Sequence, residues 1–327
     1  MHGVSRLRIV VMGTGPFAVP MLAALRRSGH EIVAVVTRPD HAPPGRRPAP
    51  NPVRDAATTA GLAVLDPERV NDPAARESLA ALGADLFVVC DYGQILSAEL
   101  LAVPPLGAIN LHGSLLPRHR GAAPVQWAIR SGDAETGVSV IRMTPALDAG
   151  SVIVARPTAI GPRETAPELE ARLALLGADA VTEAIERIAA TTGAGQSVGE
   201  LGVPQDPALA TRAPRLTKAE GIVDWSLPAV QIERMRRALE PWPRTTTTFT
   251  RDDGRTQRLV LEDVTIAPAA NGGADPGTVL ATDGRITVAC GEGTVLEIHR
   301  LVPEGSRSMS AADYLRGSPL RPGLRLG

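Results

Sequence analysis

The feature that most constrains this fold is the regular alternation of apolar and amphipathic segments over about the first 190 residues. Short apolar segments predict strands at residues 6–12, 32–37, 62–65 and 85–90. The segments between them predict helices, and a longer helix is predicted at 166–190. Strands that alternate with helices form a parallel sheet covered on both faces, so we predict an α/β fold with an open, mostly parallel sheet.

The rest of the chain predicts a second and smaller domain. Residues 191–211 are rich in Gly, Thr and Pro, which is typical of a linker. We predict a strand from Gly221 to Trp225 and a helix that follows Ser226 as its cap. Five short strands come next, a pattern typical of a small β-barrel, at 245–251, 258–265, 277–281, 286–289 and 295–302. We therefore predict domains at 1–190 and 212–327, joined by a linker at 191–211.

The cysteines and the hydropathy of the chain indicate its cellular compartment. Its two cysteines, Cys90 and Cys290, are predicted to lie in different domains, so we expect neither a disulfide framework nor a cysteine metal site. No apolar run is long enough to span a bilayer, and the first strand starts by Leu7, which leaves no room for a signal peptide. We expect a cytoplasmic protein that needs no metal.

The charges favour a local rather than a global contact with nucleic acid. The net charge is only −1, but residues 212–258 carry ten basic and six acidic side chains. Residues 38–52 form a proline-rich loop with Arg38, Arg46 and Arg47, and such a stiff loop can present cations to an RNA backbone. A solvated surface loop is the alternative interpretation.

The turn after the first strand matches a dinucleotide-binding fingerprint only weakly. Gly13, Gly15 and Ala18 have the spacing of that fingerprint, and Asp40 lies at a suitable distance downstream. Pro16, however, stiffens the turn at the place where a pyrophosphate would approach. We therefore interpret this segment as an ordinary strand-to-helix turn.

The strongest candidate site begins at the strand end near residue 110. The apolar residues up to Leu111 predict a buried strand, and alternate side chains of a strand share a face, so Asn110 and His112 point the same way. An amide donor beside an imidazole suits a reaction in which negative charge develops on an oxygen, as in acyl transfer. The alternative is a strand end with a capping Asn and a surface His.

A carboxylate is expected near these two side chains. Residues 136–143 and 152–156 predict two strands, and the turn between them holds Asp148 at a strand end. A carboxylate near His112 would fix its tautomer, raise its basicity and stabilise its protonated form. Taken alone, Asp148-Ala149-Gly150 is no more than a turn.

These residues lie in segments that closely resemble the core of the folate-dependent formyltransferases. The core resemblance is carried by NLHGSLLPRHRGAAPVQWAI and GDAETGVSVIRMTPALDAGSVI. It extends from IVVMGTGPFAVPML near the N-terminus, through VTRPDHAPPGRRPAPNPV and RLTKAEGIVDWS, to EPWPRT and MSAADYLRG. The resemblance thus covers nearly the whole chain, and it implies a Rossmann-like first domain and an OB-like, tRNA-binding second domain.

The resemblance also implies a reaction and its participants. The formyl donor would be 10-formyltetrahydrofolate, and the acceptor would be the α-amino group of methionine carried by initiator tRNA. Asn110 and His112 would donate hydrogen bonds to the oxyanion of the intermediate. Asp148 would orient His112 and take the amine proton. The enzyme would be a monomer without a metal.

Binding residues follow from the same resemblance. The pterin ring would lie at the strand end after residue 90, where Asp91 stands in place of the small residue that the family leads us to expect. The residues implied for folate binding are Tyr92, Gly93, Ile95, Leu96, Ser114, Leu115, Leu116 and Pro117. Arg38, Arg46 and Arg47 would contact the acceptor stem of the tRNA.

Three alternatives stay open at this point. A sugar-nucleotide N-formyltransferase would share the Asn-His-Asp site, although GRRPAPNPV and PWPRT argue against it. A glycinamide ribonucleotide formyltransferase would share the core but has no counterpart to residues 207–327. In an RNA-binding protein without catalytic activity, the three polar residues would be incidental.

Overall fold

The computed structural model describes residues 6–40, 49–193, 201–268, 270–318 and 320–327. The described residues form two compact units. The first unit takes those within 1–124, 135–159 and 169–214, and the second takes those within 125–134, 160–168 and 215–327.

The first unit is built on a sheet that has seven strands within the described residues. The strands are β1 (Arg8–Gly13), β2 (Glu31–Val36), β3 (Val64–Leu65), β4 (Leu86–Cys90), β5 (Ala108–His112), β7 (Glu135–Arg142) and β8 (Val152–Ala159). Their order is β3-β2-β1-β4-β5-β7-β8. Pairing is parallel from β3 to β5 and antiparallel from β5 to β8, which confirms the predicted open, mostly parallel sheet. A parallel ribbon joins β6 (Arg120–Gly121) to β9 (Arg212–Ala213).

Capping side chains mark the start of some of the helices. The described helices are α1 (Val19–Arg27), α2 (Pro52–Thr59), α3 (Pro73–Ala81), α4 (Ala98–Leu101), α5 (Pro124–Ser131), α6 (Ala166–Gly193), α7 (Ala229–Ala238) and α8 (Ala311–Leu315). Asn51 caps α2, and its side chain accepts a hydrogen bond from Arg54 N at 3.1 Å. None of the described helices combines the length and the apolar content that crossing a membrane requires.

The order of the strands places a crevice beside β1. The chain goes from β1 to β2 and β3 on one side of the sheet, and then returns to β4 on the other side. Open α/β sheets bind their ligands at such a switch point, outside the carboxyl ends of the strands. The carboxyl ends of β1, β4 and β5 therefore form the expected binding edge.

The second unit contains an antiparallel sheet. Its described strands are β10 (Thr245–Thr250), β11 (Thr256–Ile266), β12 (Val279–Ala281), β13 (Ile286–Ala289), β14 (Val295–Pro303) and β15 (Met309–Ser310). Pairing runs in the order β10-β11-β14-β13-β12, with β15 on β14. Within the described residues β10 and β12 do not pair with each other, so the sheet has two edges and is not a closed barrel.

Candidate active site

Asn110 and His112 lie on one face of β5 at its carboxyl end. β5 is held between β4 and β7, with Asn110 opposite Val89 on one side and Ile141 on the other. His112 is buried, whereas Asn110 is half-buried. No hydrogen bond joins the Asn110 amide to another described residue, so the amide is available to a ligand.

The His112 ring has a defined tautomer. Its Nε2 lies 2.9 Å from the backbone oxygen of His119, and because a carbonyl oxygen can only accept, Nε2 carries the proton and donates. The other nitrogen, Nδ1, lies 3.7 Å from Asp148 Oδ2. The neutral ring therefore turns an unprotonated nitrogen towards a carboxylate, where a proton taken up during a reaction would be stabilised.

Asp148 is held in place by its own backbone and by a neighbouring loop. Its φ is 49°, in the left-handed region, and its Oδ2 accepts a hydrogen bond from Gly121 N at 2.9 Å. Gly150 must remain glycine, because an added Cβ would lie 1.8 Å from the oxygen of Arg142. The carboxylate is thereby fixed beside His112.

Two opposing effects set the pKa of the His112 imidazole. Burial lowers the pKa of the His112 imidazole, and this effect exceeds the increase caused by the Asp148 carboxylate and by the bond to His119. The Asp148 carboxylate thus raises the pKa of the ring, as predicted, although burial outweighs this effect. His112 is thus neutral in the resting site at neutral pH and ready to accept a proton.

Three residues that support this site were not predicted. The Gln205 amide donates to the carbonyl oxygens of Asp148 (2.8 Å) and Gly150 (2.7 Å), while its Oε1 accepts from the Arg120 guanidinium. Thr211 Oγ1 accepts from His119 N at 2.8 Å. Both Gln205 and Thr211 come from the stretch predicted as a linker, which gave no signal for them.

The predicted folate residues differ in how accessible they are. Tyr92, Leu96 and Ser114 are buried, and the Ser114 hydroxyl donates to the Arg118 oxygen at 2.6 Å. The Tyr92 hydroxyl is also buried, and it has no hydrogen-bond partner within the described residues. Ile95 is 79% exposed and Gly93 is exposed, while Leu115, Leu116 and Pro117 are half-buried.

Of the three arginines predicted to contact tRNA, the structure describes only Arg38. Arg38 is exposed, and its backbone is fixed because its N–H donates to Thr14 Oγ1 and its oxygen accepts from Asn51. Arg46 and Arg47 lie outside the described residues. Within the described residues, no group of three or more His, Cys, Asp and Glu side chains is arranged to hold a metal ion.

Two family models match the chain. A model described as formyl transferase matches residues 7–185, and one described as formyl transferase, C-terminal domain, matches residues 215–319. Together they cover most of both predicted domains.

Known proteins match over nearly the full length. The methionyl-tRNA formyltransferase of Rhodopirellula baltica is 46% identical over 328 residues, 98% of this chain and 96% of that protein. The one from Methylobacterium sp. is 45% identical, over 98% and 99% of the two chains. A solved N-formyltransferase from Helicobacter canadensis, in complex with folinic acid and dTDP-3-aminofucose, has a TM-score of 0.65 at 14% identity and covers 90% of this chain and 99% of its own. That last likeness shows the fold alone.

Proposed function

The chain belongs to the formyl transferase family, and we propose that it transfers the formyl group of 10-formyltetrahydrofolate to the α-amino group of methionyl initiator tRNA. The observation that carries this proposal is the identity of 46% to a methionyl-tRNA formyltransferase over nearly the whole of both chains. The arrangement of Asn110, His112 and Asp148 supports it, because it offers a donor and a base side by side. The proposed enzyme is a cytoplasmic monomer that acts in translation initiation.

In the proposed mechanism, the uncharged amine attacks the formyl carbon, and the formyl oxygen becomes an oxyanion. Asn110 donates a hydrogen bond to that oxyanion. His112 cannot donate from Nε2 at the same time, since the His119 oxygen accepts that proton. This is a change from our expectation that both side chains would donate to the oxyanion.

The proton of the amine has a defined route. It passes to His112 Nδ1, rather than to Asp148 as the resemblance implied, and Asp148 stabilises the imidazolium that forms. The bond between the formyl carbon and the folate nitrogen then breaks, and that nitrogen takes up the proton from His112. The net result is one formyl group and one proton exchanged between the two nitrogens.

The proposed folate site lies between two loops of the first unit. Ile95, exposed after β4, offers an apolar surface to the pterin ring, and Gly93 leaves backbone groups accessible. Leu115 to Pro117, half-buried after β5, form the proposed opposite wall. Tyr92, Leu96 and Ser114 contribute through their backbone.

We also propose that the second unit is an OB-like, tRNA-binding domain. Its C-terminal residues bond to both edges of the antiparallel sheet: Leu326 N donates to the Gly277 oxygen near β12, and Gly327 N donates to the Thr248 oxygen in β10. This bridge favours a barrel-like curvature. The basic excess at 212–258 supplies cations for phosphates.

The function is tested by offering three acceptors in parallel with labelled 10-formyltetrahydrofolate. These are charged initiator tRNA, charged elongator tRNA and an amino-sugar nucleotide. We expect product on initiator tRNA alone. Product on the sugar nucleotide would leave the roles of Asn110, His112 and Asp148 in place but would contradict tRNA as the acceptor. Product on none of the three acceptors would contradict the proposed formyl transfer.

Gln205→Ala is expected to lower kcat about tenfold, because the loop that carries Asp148 would lose two hydrogen bonds and its fixed position. Steady-state kinetics at saturating folate would measure this loss. Gln231→Ala, on the exposed face of α7, is the matched control and should be unchanged. An unchanged kcat in Gln205→Ala would mean that this loop is held by other contacts.

Arg38→Ala is expected to weaken tRNA binding severalfold and to reduce the slope of log K against log salt by about 1, as loss of one phosphate contact would. Filter binding of charged tRNA between low and moderate salt would measure it. The KM for folate should stay the same. An unaltered salt slope would remove Arg38 from the proposed RNA contact.

A further inference from the structure

One short backbone segment, residues 119–121, holds both members of the imidazole–carboxylate pair. The oxygen of His119 accepts the proton on His112 Nε2 at 2.9 Å. Two residues further along, Gly121 N donates to Asp148 Oδ2, also at 2.9 Å. The position of the imidazole relative to the carboxylate therefore depends on where this segment lies.

The segment is held from its other side by residues 211–213. β6 and β9 form the parallel ribbon here, with Gly121 opposite Ala213. A Cβ added to Gly121 would lie 2.3 Å from the Ala213 oxygen, and the φ of Gly121 is 132°, so the close approach of the two chains requires glycine. The ribbon thus fixes the segment that fixes the pair.

Thr211 binds two consecutive N–H groups of this segment. Its backbone oxygen accepts from Arg120 N at 2.9 Å, and its hydroxyl oxygen accepts from His119 N at 2.8 Å. The φ of His119 is 59°, a left-handed conformation that persists in a residue with a side chain only where the surrounding contacts hold it. The bond from His119 N to the Thr211 hydroxyl is one of those contacts.

The position of the His119 oxygen selects one of two neutral forms of the His112 ring. A ring with its proton on Nδ1 would turn a donor towards Asp148, and a hydrogen bond to a carboxylate is stronger than one to a neutral carbonyl. Such a ring has no lone pair on Nδ1 with which to accept the amine proton. In the structure the carbonyl lies at hydrogen-bond distance and the carboxylate, at 3.7 Å, does not, so the proton stays on Nε2.

We infer that Thr211 is a positioning residue for formyl transfer, because its hydroxyl holds the His119 peptide in the orientation that keeps the proton of His112 on Nε2. The effect on the reaction rests on the proposed function, whereas the effect on the ring does not. Thr211 lies outside the predicted catalytic domain, 1–190, and between the matched stretches 7–185 and 215–319. The base of the reaction thus depends on a side chain that neither family model includes.

The test removes the hydroxyl of Thr211 and keeps the shape of the side chain. Thr211→Val retains the backbone bond to Arg120 N but removes the acceptor of the His119 N–H. The ratio of the two ring forms should shift about tenfold towards Nδ1–H, which is the scale of one neutral hydrogen bond. We expect kcat to fall severalfold as the working form is depleted, with the KM for folate and for charged tRNA unchanged.

The ring form is measured by ¹⁵N NMR on the full chain labelled at histidine, at a pH where the ring is neutral. His112→Gln identifies the signals of His112 among the six histidines. Thr211→Ala should behave as Thr211→Val, and Thr211→Ser, which retains the hydroxyl, should keep Nε2–H and the wild-type rate. Thr250→Val, at an exposed threonine of β10, is the matched control and should change neither measurement.

The outcomes separate this inference from the proposed function. If His112 keeps its proton on Nε2 in both Thr211→Val and Thr211→Ala, the positioning role is overturned, whatever the rate. A shift to Nδ1–H without loss of kcat would overturn the link between the ring form and formyl transfer. A wild-type enzyme that does not formylate charged initiator tRNA would overturn the proposed function, while the NMR result would still decide whether Thr211 sets the form of the ring.

Discussion

Replacing Asn110 with alanine is expected to lower kcat for formyl transfer by about 10²–10³, the usual effect of removing one donor to an oxyanion. Asn110 is the donor that the structure leaves unpartnered among the described residues at the end of β5, since the Nε2 proton of His112 goes to His119. Nothing else in the described site compensates for its loss. Single-turnover formylation of charged initiator tRNA would measure the chemical step directly.

The Asn110 variant should retain its fold and its ligands. The side chain forms no hydrogen bond to the described residues, so thermal unfolding and folate binding should remain close to wild type. Asn271→Ala, which removes an amide in the second unit that bonds to the backbone of Gly273, Ala274 and Cys290, serves as a control for loss of an asparagine. A rate within threefold of wild type for Asn110→Ala would contradict the proposed oxyanion contact.

The sheet of the first unit could be predicted because its strands are apolar and because caps such as Asn51 and Ser97 mark the start of some of the helices between them. In the second unit, the predicted strand from Gly221 to Trp225 is wrong. Lys218–Gly221 form a 3-10 helix with a capping box between Thr217 and Glu220, and Ile222 makes one bridge to Thr246. The segment is apolar because Val223 and Trp225 are buried in the core, and burial without strand pairing leaves the same pattern.

The Ser226 cap is also wrong, for a related reason. Pro228 precedes the first residue of α7, and the Ser226 hydroxyl donates instead to Asp224 Oδ1 at 2.6 Å. A serine hydroxyl can satisfy a turn as well as a helix end, so composition alone did not distinguish the two.

In the candidate site, too, features set by neighbouring residues could be predicted, whereas contacts between residues far apart in the sequence could not. Asn110 and His112 share a face because of strand alternation, which a sequence displays directly. The tautomer of His112 depends on the His119 oxygen, which the left-handed backbone of His119 (φ 59°) brings to the ring. Gln205 lies 57 residues from Asp148, to which it bonds, and no local pattern could indicate that contact.

Asp148→Asn is expected to lower kcat by about 10³–10⁴, the scale seen when an amide replaces the carboxylate that supports a catalytic imidazole. An asparagine oxygen can still accept the hydrogen bond from Gly121 N, so the loop should keep its geometry. The negative charge is lost, however, and the imidazolium that forms on His112 is no longer stabilised. Asp253→Asn, where the carboxylate also accepts a backbone N–H, should have wild-type activity.

The pH profile separates this electrostatic role from a structural one. Burial already depresses the pKa of His112, so wild-type activity is present above that pKa and is lost as the pH falls through it and the ring becomes protonated. Because Asp148 raises this pKa, its removal must lower it further, and the acid limb of kcat/KM should move to lower pH. A variant that is slower but keeps the acid limb in place would show that Asp148 acts by holding the loop rather than by stabilising the proton on His112.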